Sequence, residues 1–168
     1  MRMFGLGGDD WFDAAAVTAK TTVELYGGAG NDTLIGGAGA DLLLGGAGND
    51  QLRGNDGRDL LAGGTGADQV NGNGAGDVLI GGSLRGEDDA SPGAISSRRS
   101  LLAAWVGPGK YADKVASLLS PGKPIAAAVV GDADADVLVG GTDTDAFFGD
   151  RLIDSLTDVR TAERVLAA

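Results

Sequence analysis

From Gly27 to Ile80 the chain repeats every nine residues without a slip. The six units read GGAGNDTLI, GGAGADLLL, GGAGNDQLR, GNDGRDLLA, GGTGADQVN and GNGAGDVLI. Position one is always Gly and position six always Asp (Asp32, Asp41, Asp50, Asp59, Asp68, Asp77). Position eight is always Leu or Val (Leu34, Leu43, Leu52, Leu61, Val70, Leu79). A fixed period of this length restricts the chain to a stacked architecture, in which each unit contacts its neighbours. The first six residues of a unit favour a turn, because glycine permits backbone conformations closed to other residues. The last three, with one large aliphatic at the centre, suffice only for a very short strand.

This nonapeptide, G-G-x-G-x-D-x-U-x, resembles the RTX, or haemolysin-type, calcium-binding repeat. The resemblance implies an all-β fold, a right-handed parallel β-roll. Two units close one coil of about 18 residues, and strands of successive coils stack in parallel about 4.8 Å apart. Every second unit then falls on the same side. The aspartates form two columns, Asp32, Asp50 and Asp68 on one side and Asp41, Asp59 and Asp77 on the other. Carboxylates about 5 Å apart repel by about 0.8 kcal/mol per pair even in water, so a cation is required between them. Calcium accepts six to eight oxygens in tolerant geometry, whereas magnesium demands a strict octahedron and zinc prefers nitrogen or sulfur.

The family resemblance further implies that the ions lie between neighbouring turns, held by Asp carboxylates and main-chain carbonyls. The expected metal site therefore comprises Asp32, Asp41, Asp50, Asp59, Asp68, Asp77, Asp136 and Asp145, with the backbone of Gly28, Gly30, Gly37, Gly39, Gly46, Gly48, Gly57, Gly64 and Gly66. Each column of three offers two intervals, giving about four Ca2+ in the main array. Asp50 and Asp59 would each lie between two ions, and Asp32 and Asp77 beside one unless flanking turns add sites. In the family, such repeats stay unfolded at low cytosolic calcium and fold outside the cell.

Composition agrees. The 168 residues include 31 Gly, about 18% where roughly 7% is usual, and few aromatics, so apolar burial alone makes a weak core. The acids are 21 Asp against 3 Glu, a bias toward the short carboxylate that turns and metal ligation use. A net charge of −11 argues against nucleic acid or anionic lipid as partners. Without His or Cys there is no Ser-His-Asp triad, no thiol nucleophile, no disulfide and no usual zinc site, which points to a non-enzymatic protein. No apolar run is long enough for a transmembrane segment, and no N-terminal signal peptide is read.

Four regions are expected. Residues 1–26 form an N-terminal cap with an imperfect repeat, Gly5 to Asp13, shifted by four residues in phase. Asp10 and Phe12 occupy its positions six and eight, and Asp10 is read as a solvated turn residue rather than a ligand. Residues 27–83 form the calcium-binding roll. Residues 84–130 form a helical hairpin insertion. Its first helix begins at Ser91-Pro92 and has Ile95, Leu102 and Trp105 on one face, with Val106 nearby. Its second carries Tyr111, Val115, Leu118 and Leu119, and a strand is expected over 125–130. Arg98, Arg99 and Lys110 are read as a solvated helix face rather than a basic patch.

Residues 131–168 form resumed turns and a C-terminal cap. Two units, GDADADVLV from Gly131 and GGTDTDAFF from Gly140, place Asp136 and Asp145 at position six. Asp132-Ala-Asp134-Ala-Asp136 is no EF-hand loop, since Val137 stands where Gly is needed and Asp143 where the bidentate Glu belongs. The turns over 131–148 should stack on the preceding coil, with Val137–Val139 close to Val78–Ile80. The final stretch reads as a strand and cap, or as a helix through Val159, Glu163 and Leu166. The sequence thus suggests a secreted, extracellular calcium-binding module, exported by a type I route. The alternatives are an adhesin for a cell-surface glycan, or a piece of a larger secreted polypeptide such as an RTX enzyme.

Overall fold

The computed structural model describes residues 1–84, 91–108, 129–148, 155–157 and 164–166. Its strands follow the nine-residue period. They are β1 (Arg2–Gly7), β2 (Trp11–Asp13), β3 (Glu24–Ala29), β4 (Thr33–Ile35), β5 (Leu42–Ala47), β6 (Gln51–Asn55), β7 (Leu60–Thr65), β8 (Gln69–Asn73) and β9 (Val78–Ile80). Beyond them lie β10 (Ser83–Leu84), α1 (Pro92–Val106), β11 (Val129–Val130), β12 (Val137–Gly141), β13 (Ala146–Phe148), β14 (Ser155–Thr157) and β15 (Arg164–Leu166).

Alternate strands belong to opposite sheets. One sheet has the order β1-β3-β5-β7-β9-β13-β15 and the other β14-β12-β8-β6-β4-β2, and their neighbouring strands pair in parallel. This is a β-roll of about seven turns, with one helix, α1, among the described residues. The register repeats coil on coil, with Leu25, Leu43, Leu61 and Leu79 aligned in one sheet and Phe12, Leu34, Leu52 and Val70 in the other. These position-eight side chains meet between the sheets as a single aliphatic file, joined by Leu138 and Phe147. Each buried Leu contributes about 1.5–3 kcal/mol, so the file is the main apolar source of stability inside the roll.

The imperfect repeat at the N-terminus is a full coil. Phe12 pairs with Leu34 and Leu6 with Gly28, so the four-residue phase shift is absorbed between Ala14 and Val23. The turns after the insertion also stack on the preceding coil, but Val137–Val139 pairs with Gln69–Asn71, and it is β13 that pairs with Val78–Ile80. A strand in a two-sided coil bonds to the strand one full turn earlier, not to the half-turn just before it. At the C-terminal end, Leu156 pairs with Leu138 and Leu166 with Phe148, so these residues continue the sheets as strands. Val159 and Glu163 lie outside the described residues, as do the expected second helix, Lys110 and most of the 125–130 stretch.

One sheet has a second apolar face. Positions seven and nine of its strands are Leu42 and Leu44, Leu60 and Ala62, Val78 and Ile80, and Ala146 and Phe148, all buried. The matching positions of the other sheet are Thr33 and Ile35, Gln51 and Arg53, Gln69 and Asn71, and Val137 and Val139, which are half-buried or exposed. Helix α1 packs on the apolar face through Leu102 and Trp105. Ser91 caps it by accepting the Ala94 N–H, and Pro92 opens its first turn. Its buried stripe is Ile95, Arg98, Leu102 and Trp105, while Val106 is exposed.

Arg98 therefore leaves the solvated helix face expected of it, whereas Arg99 stays exposed on that face while its guanidinium reaches the roll. Arg98 is 3% exposed and lies over the Tyr26 ring, 5.1 Å from its centroid. Arg99 pairs with buried Glu24, which also holds Arg2 at 2.7 Å. The helix is thus fastened to the second coil by charge and, at its other end, to the fifth by Trp105, whose Nε1–H donates to Gly76 O at 3.0 Å.

Candidate metal centre

Each aspartate at position six is buried at the edge of the roll and bonded to the coil before it. Asp32 Oδ1 accepts the N–H of Asp10, Asp50 Oδ1 that of Asp32, Asp68 Oδ1 that of Asp50, and Asp136 Oδ1 that of Asp68, at 2.7–2.9 Å. On the other side the order is Val23, Asp41, Asp59, Asp77 and Asp145, at 2.7–2.8 Å. The two columns are therefore real ladders, each one carboxylate oxygen deep.

The second oxygen is the informative one. Oδ2 of Asp10, Asp32, Asp50, Asp59, Asp68 and Asp77 is buried without a hydrogen-bond partner. An unpaired buried carboxylate oxygen is costly, and six of them, four in one column and two in the other, call for cations. Each lies over the position-one glycine of its own turn. A Cβ placed on Gly27 would overlap Asp32 Oδ2 and come 2.5 Å from Gly45 O in the next coil, and Gly45, Gly54, Gly63 and Gly72 repeat the arrangement. Carbonyls of positions two and four also point along the stack: those of Leu6, Gly28 and Gly46 face Gly28, Gly46 and Gly64, and those of Gly8, Gly30 and Gly48 face Gly30, Gly48 and Gly66. The turns are oxygen-lined, as calcium requires.

Of the expected glycines, Gly28, Gly30, Gly46, Gly48, Gly57, Gly64 and Gly66 adopt positive φ. Gly37 and Gly39 are not among the positive-φ glycines, and they face Val17 O and Thr21 O of the irregular 14–21 segment instead of another aspartate turn. There the Gly37 N–H donates to Asp41 Oδ2 at 2.6 Å, so both oxygens of Asp41 are occupied by backbone. Asp10, read from the sequence as solvated, has the geometry of the regular ligand positions, with Gly5 beneath it and Gly27 O beside it. Among the described residues no three His, Cys, Asp or Glu side chains form a metal-binding group.

Burial pushes these carboxyls up. Asp50 rises to about 6, with the Asp32 N–H opposing and the Asp32 charge adding to the rise. Asp59 and Asp68 rise to about 8 and Asp77 to about 10, again chiefly by desolvation, with neighbouring column carboxylates contributing. Asp32 and Asp41 are raised too, by burial first. A raised folded-state pKa means the metal-free fold prefers the protonated acid. The resulting stability is fully present below about 3.8 and is lost as pH climbs through about 6 to 10. In excess chelator the chain should therefore show more β signal at pH 5 than at pH 9. Greater β content at pH 9 would contradict the desolvated columns.

A parallel roll with glycine turns, paired carboxylates and oxygen-lined gaps defines a solenoid built to hold hard divalent cations. The chain belongs to the RTX calcium-binding nonapeptide repeat family, whose model matches residues 24–52, 53–84 and 128–156. Membership implies calcium binding, and the donor set fits the ion. No curated protein and no solved structure matched the chain. Among the described residues no helix is long and apolar enough to cross a membrane.

Proposed function

We propose that the chain is a non-catalytic module whose roll is folded and held by calcium, and that it serves a secreted or cell-surface protein. The observation that carries this reading is the file of buried, unpartnered Oδ2 atoms, each beside a carbonyl of the next coil. The ligands are Asp32, Asp41, Asp50, Asp59, Asp68, Asp77, Asp136 and Asp145, with Asp10 added at the head of one column. Main-chain carbonyls of the glycine turns complete each shell.

Four ions fill the intervals Asp32/Asp50, Asp50/Asp68, Asp41/Asp59 and Asp59/Asp77. The intervals Asp10/Asp32, Asp68/Asp136 and Asp77/Asp145 extend the two columns by the same geometry. A ligand bound only by the native state adds RT ln(1 + [L]/Kd) to stability, so a chain kept open at low cytosolic calcium folds on reaching millimolar calcium outside. Equilibrium dialysis with elemental analysis tests the count. At least four calcium ions per chain should be retained at 1 mM, with far less magnesium at equal concentration. Fewer than two calcium ions, or equal magnesium, would refute the reading.

A further inference from the structure

One turn of the roll is assembled from two distant pieces of chain. In regular coils the position-one glycine and the position-six aspartate belong to one continuous hexapeptide, as Gly27 and Asp32 do. At Asp136 the glycine beneath Oδ2 is Gly81, on the far side of the insertion. The stack confirms the substitution. Gly63 faces Gly81 O just as Gly45 faces Gly63 O, the Gly64 N–H donates to Gly81 O at 3.1 Å, and the Asp68 N–H donates to Asp136 Oδ1 at 2.9 Å. Gly131, which the sequence presents as the start of a fresh unit, is therefore not what completes this turn.

The broken turn is repaired locally. In intact coils the position-four N–H donates to a position-three carbonyl of the next coil, as Gly30 does to Ala47 and Gly48 to Thr65. At the split, the Gly66 N–H donates instead to Asp134 Oδ2 at 3.1 Å. The departing and returning strands are joined by antiparallel pairing of β10 with β11, Ser83 opposite Val130 and Leu84 opposite Val129. Asp132 keeps one buried carboxylate oxygen without a partner, and its charge, with that of Asp136, acts on Asp68. Asp68 itself is 1% exposed with Oδ2 unpartnered.

We propose that the interval between Asp68 and Asp136 is a two-segment calcium site that joins the stretches of chain on either side of α1, so that α1 docks on the roll when this site fills. This rests on the calcium reading above. An ion held by Asp68 on one turn, and by Gly81 and Asp136 from both sides of α1 on the next, ties together ends that the β10–β11 ribbon also joins. The extra negative charge of Asp132 strengthens the site, since calcium affinity rises with ligand and nearby carboxylate charge. Docking is read out by Trp105, which is 1% exposed and bonded to Gly76 O in the turn that ends at Asp77.

The chain has two tryptophans, and Trp11 is 69% exposed, so Trp11→Phe leaves Trp105 as the sole tryptophan, excited selectively over the two tyrosines. In that background, Trp105 emission and far-ultraviolet circular dichroism are followed against calcium for the parent, Asp136→Asn, Asp132→Asn and, as a control carboxylate that is exposed and outside both columns, Asp13→Asn. The expected result is a Trp105 midpoint raised about tenfold by Asp136→Asn, severalfold by Asp132→Asn and less than twofold by Asp13→Asn. Equal shifts for Asp132→Asn and Asp13→Asn would overturn the proposal, as would a Trp105 already buried in chelator. If Asp136→Asn fails to fold, Asp132→Asn still decides. A parent whose circular dichroism ignores calcium would overturn the calcium reading itself, whereas a dichroism response without a Trp105 response would overturn only this inference.

Discussion

Gly45→Ala should lower the thermal midpoint of the calcium-loaded protein by roughly 10 °C or more, a loss of roughly 3–5 kcal/mol. A Cβ at Gly45 would overlap Asp50 Oδ2 and the Gly63 carbonyl. Neither obstacle can move freely. The carboxylate is anchored through Oδ1 to the Asp32 N–H, and the carbonyl belongs to the next coil of a stacked ladder. The added methyl therefore forces coils apart where the ligands must converge, and it should also raise the calcium concentration needed for folding. Gly93→Ala is the control. Nothing lies within 4 Å of its Cβ, and alanine favours a helix over glycine by up to about 1 kcal/mol, so stability should hold or rise slightly. Scanning calorimetry of the two variants in calcium checks both. A Gly45→Ala midpoint within 2–3 °C of the parent, a shift of only about 1 kcal/mol, would contradict the cradle.

Asp59→Ala should release about two calcium ions per chain and Asp41→Ala about one, because affinity follows the charged ligands each site keeps. Asp59 stands between Asp41 and Asp77 in its column, and its Oδ2 has no partner. Asp41 is the end of that column. Its oxygens accept N–H groups from Val23 and Gly37, and the coil before it carries no aspartate turn on that side. Asp32 differs from Asp41 although both stand near the start of the nonapeptide array. The Asp10 turn stacks beyond it, so Asp32→Ala should behave as an interior replacement and cost about two ions. Titration calorimetry of the three variants checks the order. Equal losses for Asp41 and Asp59 would mean that ions are not shared between stacked turns.

Much of this architecture was legible because the nine-residue period acts on both scales at once. Position eight supplies the interior file and position six the two ladders, so the pairing of Leu43 with Leu61 and the bond from the Asp41 N–H to Asp59 follow from counting. Three features escaped that count. The four extra residues between the first two coils disguised Asp10 as a stray turn residue, although its neighbours Gly5 and Gly27 stand as in every other cradle.

A second signal has an 18-residue period. Positions seven and nine are apolar in alternate units, Leu42 and Leu44, then Leu60 and Ala62, then Val78 and Ile80, whereas the units between carry Gln51 and Arg53 or Gln69 and Asn71. That alternation marks the sheet that needs covering, and it would have assigned α1 its seat and given Arg98 a buried place over Tyr26. The third feature, the split turn, was masked by local grammar. Gly131 opens a plausible unit in sequence, while in space its place belongs to Gly81, fifty residues earlier.

Calcium dependence of folding tests the central claim most directly. Far-ultraviolet circular dichroism at pH 7.5 should show a largely unfolded chain in excess chelator, because Asp59, Asp68 and Asp77 would then place desolvated carboxyls in stacked turns without a cation. Adding calcium to about 1 mM free should bring up the β signal in a cooperative transition, and magnesium at the same concentration should do much less. A spectrum in chelator identical to that in calcium would contradict the account, since the columns would then be holding the roll together without the ion they are built around.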